Sequence, residues 1–483
     1  MTRGELGQLS AAELIAIILQ QQAQIEAQQA QIEAQAATIA RLEAQVAEQQ
    51  GTIAQLQGQV KELQARLGEP AKTSANSSVP PAKGRKANRK AGKTAPKRGP
   101  PVGHAGRGRE RQEPDVVIEC RPRVCEECGT DLSGVEGEQV GSSQVIELPP
   151  IEPVVVEAHS YAVDCPGCGH RTVADYPAGL EPERVFGTQI EALVSYLHQV
   201  HHLSYARLGE VLKDVFGLEI SPGALVNSVR RVGEQLEERA EEIREEVRGS
   251  AVVGSDETGA RVNGRNEWEW VFTTDQVNYH VIVPNRASTV IDEVMGEAKP
   301  EVWVSDLLSA QLKNPASQQQ VCLAHQLRDL QYVIDAERSV WAYQLRELFR
   351  RAMRLAQRRE ELSEEHYRQQ VAAIEAACDA LLAQTVATKR AQVLQRRYRK
   401  HRQELFVFLY RADVPPDNNA SERALRNSVV HRKVSGGFRS GWGAATYATV
   451  ATVMGTAKKQ GQRVLATLRA HLSPSATVAA ASA

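Results

Sequence analysis

The N-terminal part of the chain carries a regular seven-residue repeat of apolar residues. The first position of each repeat is filled by Ile18, Ile25, Ile32, Ile39, Val46, Ile53, Val60 and Leu67. The position three residues further on holds Leu or Gln, as in Leu42 and Gln49. β-Branched residues at the first of these positions and Leu at the second favour a parallel two-stranded coiled coil. We therefore predict a coiled coil over residues 11–68, with a single solvated helix as the alternative.

Residues 69–115 have no such pattern. They are rich in Pro, Gly, Ser, Lys and Arg and contain almost no large apolar residues, so they cannot bury a core. The stretch from Lys83 to Arg111 carries eleven Lys or Arg and a single acid, Glu110. We predict a disordered basic linker that can neutralise phosphates without sequence preference.

Two C-x-x-C motifs, each followed by Gly, mark residues 116–180 as a small module. The four cysteines are Cys125, Cys128, Cys165 and Cys168. Four thiolates match the tetrahedral preference of Zn²⁺ and leave no open position, so the metal is expected to be structural. Residues 143–148 and 154–163 between the motifs read as strands. Free thiols are the alternative to a zinc site.

Residues 181–248 are predicted to be helical. A helix from Ser204 to Phe216, a short turn, and a second helix that starts at Ser221 and Pro222 have helix–turn–helix form. Arg230 and Arg231 lie on the second helix and are predicted to contact DNA. An ordinary helical hairpin is the alternative.

Residues 249–457 change to a mixed α/β pattern. Short apolar or alternating runs predict three strands, then a helix at about 288–296, then a fourth strand. The first strand is predicted to end at Asp256 and the fourth at Asp306. This order is that of an RNase H-like fold, in which these two strands lie side by side, so both carboxylates could share a metal. A helical insertion is expected at about 318–410, and Glu422 follows it in the first turns of a helix.

Three carboxylates without other basic chemistry suit Mg²⁺ or Mn²⁺, which prefer oxygen ligands. Two such ions could activate a water or a DNA 3′-hydroxyl and stabilise the departing oxygen of a phosphodiester. Each acid also has a simpler interpretation. Asp256 and Asp306 could be turn or cap residues, and Glu422 could be a capping-box residue that reaches back to Asn419.

Charge is segregated along the chain, although the formal net charge is only −1. Between Lys389 and Arg469 there are seventeen Lys or Arg against four acids. Such segregation is typical of a nucleic-acid-binding protein with an ordinary overall charge. The seven cysteines indicate reduced thiols. No apolar run approaches the roughly 18 residues of a membrane span, and the N-terminus lacks the features of a signal peptide. We expect a cytoplasmic, nucleoid-associated protein without a membrane partner.

Several motifs together resemble the IS66 family of bacterial insertion-sequence transposases, and the likeness covers nearly the whole chain. They are Ser255-Asp-Glu-Thr, the strand to Asp306, Cys322-Leu-Ala-His325, Asp417-Asn-Asn-Ala-Ser-Glu422-Arg-Ala-Leu-Arg426, and the segment from His431 to Ala445. The resemblance implies that Asp256, Asp306 and Glu422 form a DDE triad. It also implies cleavage at terminal inverted repeats and transfer of the 3′-hydroxyl ends to target DNA.

The same resemblance implies further roles and partners. Arg426, Arg432, Lys433 and Arg439 would face phosphates. Cys322 and His325 are expected to have a structural or DNA-facing role. Two DNA ends must be held together, so at least a dimer is expected, with the coiled coil as a contact. An accessory protein encoded by the element is left open. Residues 458–483 are expected to form a C-terminal helix and a low-complexity tail.

Two other functions stay open from the residues alone. One is a non-catalytic zinc-containing DNA-binding protein, in which the carboxylates are structural. The other is an RNase H-like nuclease that cuts but never transfers a strand. A pure coiled-coil scaffold would leave the α/β region without a role.

Overall fold

The computed structural model describes residues 11–66, 70, 72–73, 75–77, 109–182 and 184–472. Contacts divide the chain into two units. Unit one comprises Met1–Gly84, Gln326–Arg351 and Ala372–Lys400, and unit two comprises Arg85–His325, Ala352–Val371 and His401–Ala483. Most of the predicted linker, the predicted helix end near Gly68 and the tail from 473 onwards lie outside the described residues.

The N-terminal repeat forms one helix, α1, at Ala11–Arg66. Three of its repeat residues, Ile39, Val46 and Ile53, are 56%, 51% and 54% exposed in the single chain. Water-exposed β-branched residues at this spacing are what an unpaired half of a coiled coil presents. Pairing itself stays a prediction.

Residues 109–182 contain one small hairpin. Strand β1 at Ala162–Asp164 pairs antiparallel with β2 at Arg171–Val173. The predicted strands at 143–148 and 154–163 are therefore wrong, apart from the last two residues of the second run. Their apolar side chains, such as Val145 and Val155, are 83% and 92% exposed. Apolar alternation alone did not form strands there, whereas the turn at Cys165–Cys168 brings β1 and β2 together.

Four helices follow in unit two. They are α2 at Thr188–Ser195, continued by a π-turn at Tyr196–Val200, α3 at Tyr205–Phe216, α4 at Pro222–Gln235 and α5 at Glu237–Arg248. Ser204 caps α3 and Ser221 caps α4, because each hydroxyl accepts a backbone N–H of its first turn. Gly217 ends α3 with a left-handed φ of 65°. The helix starts predicted from Ser204 and from Ser221-Pro222 are confirmed.

A five-stranded mixed sheet forms the centre of unit two. Its strands are β3 at Val252–Val262, β4 at Arg265–Thr273, β5 at Asn278–Val283, β6 at Val302–Ser305 and β7 at Gln318–Val321, in the order β5-β4-β3-β6-β7. Strands β3, β4 and β5 are antiparallel, whereas β6 and β7 run parallel to β3. Helix α6 at Thr289–Met295 connects β5 to β6, as predicted.

Two strand predictions need correction. Asp256 does not end its strand: it is the fifth of eleven residues of β3, which continues to Val262. Residues Gln318–Val321 were predicted to begin the helical insertion but form β7. Strand β7 could not be recognised from the local sequence, because three of its four residues are glutamines and show no pattern of apolar residues. The side chain of Gln320 is buried, and it bonds the carbonyl of Leu405 and the N–H of Phe408.

The segment after β7 is helical, as expected. It contains α7 at Leu323–Glu337, α8 at Val340–Gln357, α9 at Glu364–Ala383, α10 at Lys389–Lys400 and α11 at Val407–Tyr410. Within unit one, Trp341 Nε1 donates to Leu381 O at 2.9 Å, and the Phe349 ring meets Tyr398 edge-on at 5.5 Å. These contacts join α8 to α9 and α10.

The sheet of unit two has two differently covered faces. One face carries Val253, Phe272 and Trp303, which pack in an apolar core with α5, α6 and the C-terminal helices. Those last helices are α13 at Gly441–Lys459 and α14 at Val464–His471. The opposite face is covered by α12 at Asn419–Ser435. Among the described residues, no helix has both the length and the apolar character needed to cross a membrane.

Candidate active site

Asp256 and Asp306 meet at one edge of the β3–β6 pair. The last paired residues of these parallel strands are Gly254 and Val304. Asp256 lies two residues further along β3, and Asp306 lies two residues beyond Val304, directly after the end of β6. This even spacing directs both side chains to the same face of the sheet. That face is the one covered by α12. The prediction that the two strands lie side by side is confirmed, because β3 pairs directly with β6.

Polar side chains fasten the start of α12 to this face. Asn418 Nδ2 donates to Ser255 O at 2.7 Å, and Asn418 Oδ1 accepts from Ser421 Oγ at 2.7 Å. The Ser421 hydroxyl also bonds Thr273 Oγ1 at 3.0 Å. Asn418, Ser421 and Thr273 are all buried. Buried polar groups that satisfy one another fix a single arrangement, so the first turn of α12 has a defined position on β3.

Gly254 makes this close approach feasible. A Cβ at Gly254 would lie 2.9 Å from Thr273 Oγ1, 3.1 Å from Ser421 Oγ and 3.2 Å from Asn418 Oδ1. Any side chain would therefore push α12 away from the strand that carries Asp256.

The end of α12 is also tied to β3. Phe438 N donates to Arg261 O at 2.7 Å, and Asn263 N donates to Phe438 O at 2.8 Å. Gly437 has a φ of +113°, and a Cβ there would lie 2.6 Å from Arg261 O. Only glycine fits such a backbone contact. Helix α12 is thus held at both ends, with Glu422 in its first turns.

The electrostatics of Asp256 reflect this convergence. Burial and the negative charges of Glu257, Asp306 and Glu422 together raise the pKa of Asp256 to about 8, while the backbone N–H of Glu257 opposes them. Glu257 points to the other face, where it pairs with Arg286 at 2.5 Å. A cluster of carboxylates that repel one another favours a bound cation.

Two side chains, Cys322 and His325, lie in a row that leads to Glu422. The sequence alone did not connect them with this acid. His325 Nδ1 lies 3.3 Å from Cys322 Sγ, and His325 Nε2 lies 3.7 Å from Glu422 Oε1. Cys322 is fully buried and accepts the backbone N–H of Asn418 at 3.1 Å. Burial raises the pKa of the Cys322 thiol to about 12, so it stays protonated. Among the described residues these three side chains are the one group of possible metal ligands whose atoms all lie within 4.8 Å.

This group fits a positioning role better than a magnesium site. A neutral thiol and an imidazole are poor ligands for Mg²⁺, which takes oxygen. With the thiol hydrogen directed at Nδ1, the Nε2–H of His325 faces the Glu422 carboxylate. The C-x-x-H spacing was visible in the sequence, but its third partner lies almost a hundred residues away and only packing reveals it.

The capping and turn interpretations of Glu422 and Asp306 differ in how well they fit the structure. Asn418 is the residue before α12, so the capping-box position belongs to Ser421 and not to Glu422. Asp306 Oδ1 accepts the N–H of Leu308 at 2.8 Å, which is a turn-forming contact. Such a bond fixes one carboxylate oxygen and is compatible with a second role for Asp306.

Comparison with known families identifies the architecture. Residues 183–446, more than half of the 483-residue chain, match the Transposase IS66 family. The chain belongs to the IS66 transposase family. Residues 122–169 match the zinc-finger binding domain of transposase IS66. A comparison with curated proteins found no matching relative. The family resemblance drawn from the motifs is confirmed.

The zinc finger of this transposase consists of two equivalent turns. The carbonyl of Cys125 accepts from Gly129 at 2.9 Å, and that of Cys165 accepts from Gly169 at 2.8 Å. Both glycines have a φ of 73°. The hydroxyl and backbone N–H of Thr130 lower the pKa of Cys128, the backbone N–H groups of Gly167 and Cys168 lower that of Cys165, and in each turn the second thiol adds to the effect. The donor set fits a structural Zn²⁺, although the four sulfurs do not all lie within 4.8 Å of one another in this structure.

The structure places the predicted DNA contacts of this transposase in different environments. Arg231 pairs with the fully buried Glu191 at 2.7 Å, so its charge serves the interior of the helical region. Arg230 is exposed, pairs with Glu234 at 2.8 Å and lies over the Trp442 ring. The DNA contact predicted for both arginines stays a prediction. The ion pair of Arg231 with the buried Glu191 favours a structural role for this residue.

The cations predicted around Glu422 lie on or just after α12. Arg426 and Lys433 are exposed and share the helix face of Glu422, at spacings of four and eleven residues. Arg432 is half-buried, with its guanidinium 3.5 Å from Thr258 Oγ1 on β3. Arg439 is exposed directly after the Gly437–Phe438 contact with β3.

Proposed function

We propose that this transposase cleaves DNA at the terminal inverted repeats of its element and transfers the 3′-hydroxyl ends to target DNA. Asp256, Asp306 and Glu422 are the proposed catalytic acids. The observation that carries the proposal is the fastening of α12 to the β3 face that bears Asp256. It brings the third acid within electrostatic reach of the first, although 166 residues separate them.

We further propose that the three carboxylates hold two Mg²⁺ or Mn²⁺ ions. Their oxygen donors and mutual repulsion fit hard divalent cations. When bound, such ions supply activation of a water or 3′-hydroxyl and stabilisation of the leaving oxygen. Glu257 is excluded from this set because Arg286 and Gln311 engage it on the opposite face.

The surrounding side chains have distinct proposed tasks. His325 and Cys322 orient Glu422 without touching DNA. Arg426 and Lys433, on the Glu422 face of α12, bind phosphates of the transposon end, and Arg439 extends that basic surface past the helix. Arg432 braces α12 against Thr258 and is expected to contribute less to DNA affinity.

The remaining elements complete the proposal. Three antiparallel strands followed by two parallel ones, with acids on β3 and after β6, support an RNase H-like core. Helices α3 and α4, joined by a five-residue turn, support a helix–turn–helix contact with DNA. The exposed repeat residues of α1 support a coiled-coil dimer. These features fit a protein that works on DNA in the cytoplasm.

Strand transfer with a labelled element end tests the proposal. Wild-type protein with Mg²⁺ is expected to join the 3′ end to a target plasmid, and Asp256→Asn and Glu422→Gln are expected to bind the end but not to join it. Joining by either variant would contradict the catalytic assignment. Cutting without joining by the wild type would favour a nuclease, and Mg²⁺-independent binding without any strand breakage would favour a non-catalytic DNA-binding protein.

A further inference from the structure

A cavity of about 360 Å³ lies on the side of α12 that faces away from Glu422. It is lined by residues of α12, α13 and β5. On α12 its wall is formed by Ala420, Arg423, Ala424 and Asn427, whereas Glu422 and Arg426 occupy the other side of the helix. The cavity is therefore separate from the carboxylate site, and its volume falls in the range of about 300–1,000 Å³ typical of small-molecule sites.

Three cations surround this cavity. Arg423 and Lys458 are exposed, and Lys459 is half-buried. Burial lowers the pKa of Lys459 to about 8 and also lowers that of Lys458. The ammonium group of Lys459 donates to the carbonyls of Thr274 and Val277 in the β4–β5 turn, which fixes its position. Like charges held together at a cavity are relieved when an anion binds.

The opposite wall carries polar groups suited to a nucleobase. Asn278 is only 6% exposed, and its Oδ1 has no hydrogen-bond partner within the described part of the chain. Its backbone N–H bonds Thr456 Oγ1 at 3.1 Å, so the residue is held firmly. His280 Nδ1 bonds the buried Glu269 at 2.9 Å, which leaves the other ring nitrogen to the cavity side. A buried acceptor without a donor is costly and calls for a ligand that donates.

Small residues keep the cavity open. A Cβ at Gly455 would lie 3.3 Å from Asn278 Nδ2 and 3.7 Å from His280 Nε2. Ala424 and Ala451 line the same space. Gly455 thus lies directly against the Asn278 and His280 side chains, and any side chain there would crowd both.

We propose that this cavity binds one unpaired nucleotide of the DNA substrate, with its phosphate at Arg423, Lys458 and Lys459 and its base against Asn278 and His280. The proposal rests on the proposed function, since it takes DNA as the substrate. A base within a duplex cannot enter such a cavity, so the nucleotide must be extrahelical or single-stranded. An inorganic phosphate alone would satisfy the cations but not the buried Asn278 oxygen.

Fluorescence anisotropy with the full chain, in buffer without Mg²⁺ or Mn²⁺, tests the inference. The probes are a labelled duplex with one extrahelical nucleotide and the same duplex fully paired. Wild-type protein is expected to prefer the first by about tenfold, which corresponds to about 1.4 kcal/mol. Ala424→Leu, which fills the cavity, and the double variant Arg423→Ala/Lys458→Ala are expected to lose the preference. Arg469→Ala, which removes an exposed cation on α14, is expected to keep it.

The outcomes separate this site from the catalytic proposal. Equal affinity of wild-type protein for both duplexes, or an unchanged preference in Ala424→Leu, overturns the inference whether or not strand transfer occurs. A retained preference in a chain that fails to join strands supports the cavity and contradicts the catalytic proposal alone. Binding of free thymidine 5′-monophosphate without binding of either duplex would assign the cavity to a free nucleotide and overturn the DNA site.

Discussion

His325 joins two parts of the proposed active site that lie far apart in the sequence. Its ring contacts the buried Cys322 on one side and the Glu422 carboxylate on the other. Because Glu422 is partly exposed, with 26% of its side chain accessible, its orientation depends on such a neighbour. Loss of an outer group that orients a metal-binding carboxylate typically lowers metal affinity or activity by about 10–100-fold.

Loss of the His325 ring should therefore reduce Mg²⁺-dependent activity more than it reduces the stability of the fold. We expect His325→Ala to lower strand transfer by about 10–100-fold and to raise the Mg²⁺ concentration needed for half-maximal activity. Activity measured over a Mg²⁺ titration checks this.

Cys322 provides the matched comparison. Cys322→Ser keeps a hydroxyl donor for His325 and is expected to retain most activity, whereas Cys322→Ala should resemble His325→Ala. A His325→Ala protein with an unchanged Mg²⁺ requirement would show that the imidazole does not position Glu422.

His431 is a second informative residue, away from the carboxylates. Burial, together with the nearby His198 and His202, lowers its pKa to about 3. Its ring stacks on Tyr447 at 4.6 Å, and its Nδ1 has no hydrogen-bond partner in the described part of the chain. The folded protein thus holds the neutral form, whereas the unfolded chain takes up a proton below pH 6.5.

Stability should accordingly be lost as pH falls from about 6.5 towards 3. Protonation of His431 in the unfolded chain is by itself expected to lower the free energy of unfolding by about 2 kcal/mol at pH 5 relative to pH 8. His431→Phe keeps the stacking and should flatten this dependence, as measured by urea unfolding followed by tryptophan fluorescence. The exposed His471→Gln serves as control, and an equally steep pH dependence in His431→Phe would refute the assignment.

At the scale of elements, the proposed active site depends on the packing of α12 against β3. Gly254 and Gly437 allow the helix to approach the strand at its two ends. The polar bonds of Asn418 and Ser421 then fix its position along the strand. The placement of α12 and the geometry of the proposed carboxylate site are therefore coupled.

Gly254→Ala tests that coupling. The new Cβ would crowd three side chains at 2.9–3.2 Å, and we expect a loss of about 1–3 kcal/mol in stability. Strand transfer should fall more than stability predicts, because the start of α12 and Glu422 move away from Asp256. Thermal unfolding and strand transfer are measured on the same preparation.

Gly259→Ala on the same strand is the matched control. A Cβ there meets nothing within 4 Å, so stability and activity should stay near wild type. Equal activities for Gly254→Ala and Gly259→Ala would show that close helix approach is not needed.

Much of this arrangement could be predicted from local sequence. Apolar alternation and turn residues gave β4, β5 and α6, and the cap at Ser221-Pro222 gave the start of α4. The two C-x-x-C turns predicted the zinc finger because thiolate spacing is specific. All of these signals lie within a few residues of the element they predict.

Features set by distant partners could not be predicted in this way. Strand β3 continues past Asp256 because β4 pairs with residues up to Val262, although the sequence there turns polar. Strand β7 depends on partners of Gln320 that lie more than eighty residues away. The contact of His325 with Glu422 likewise arises only when α12 folds onto the sheet.

At the scale of the whole molecule, the proposed function requires two active sites that act on two DNA ends. Helix α1 spans 56 residues and exposes Ile39, Val46 and Ile53 at heptad spacing. Long helices with such a seam gain stability from pairing. We therefore propose that the coiled coil joins two chains, and that the second chain supplies the second active site.

Charged residues in the seam should separate the two chains. We expect the double variant Ile39→Lys/Ile53→Lys to be monomeric and the wild type dimeric in light scattering coupled to size exclusion. Ala44→Lys, which lies on the outer side of the predicted seam, should remain dimeric. A dimer unaffected by the double variant would place the contact elsewhere.

The most direct test of the shared carboxylate site is a Mn²⁺ titration of the zinc-loaded full chain, followed by electron paramagnetic resonance. The account predicts that Asp256→Asn and Glu422→Gln each weaken Mn²⁺ binding by at least about tenfold, since each removes a ligand. Glu297→Gln, which changes an exposed acid of the same unit, should titrate like wild type. Identical titrations of the wild type, Asp256→Asn and Glu422→Gln would contradict the claim that these acids share metal ions.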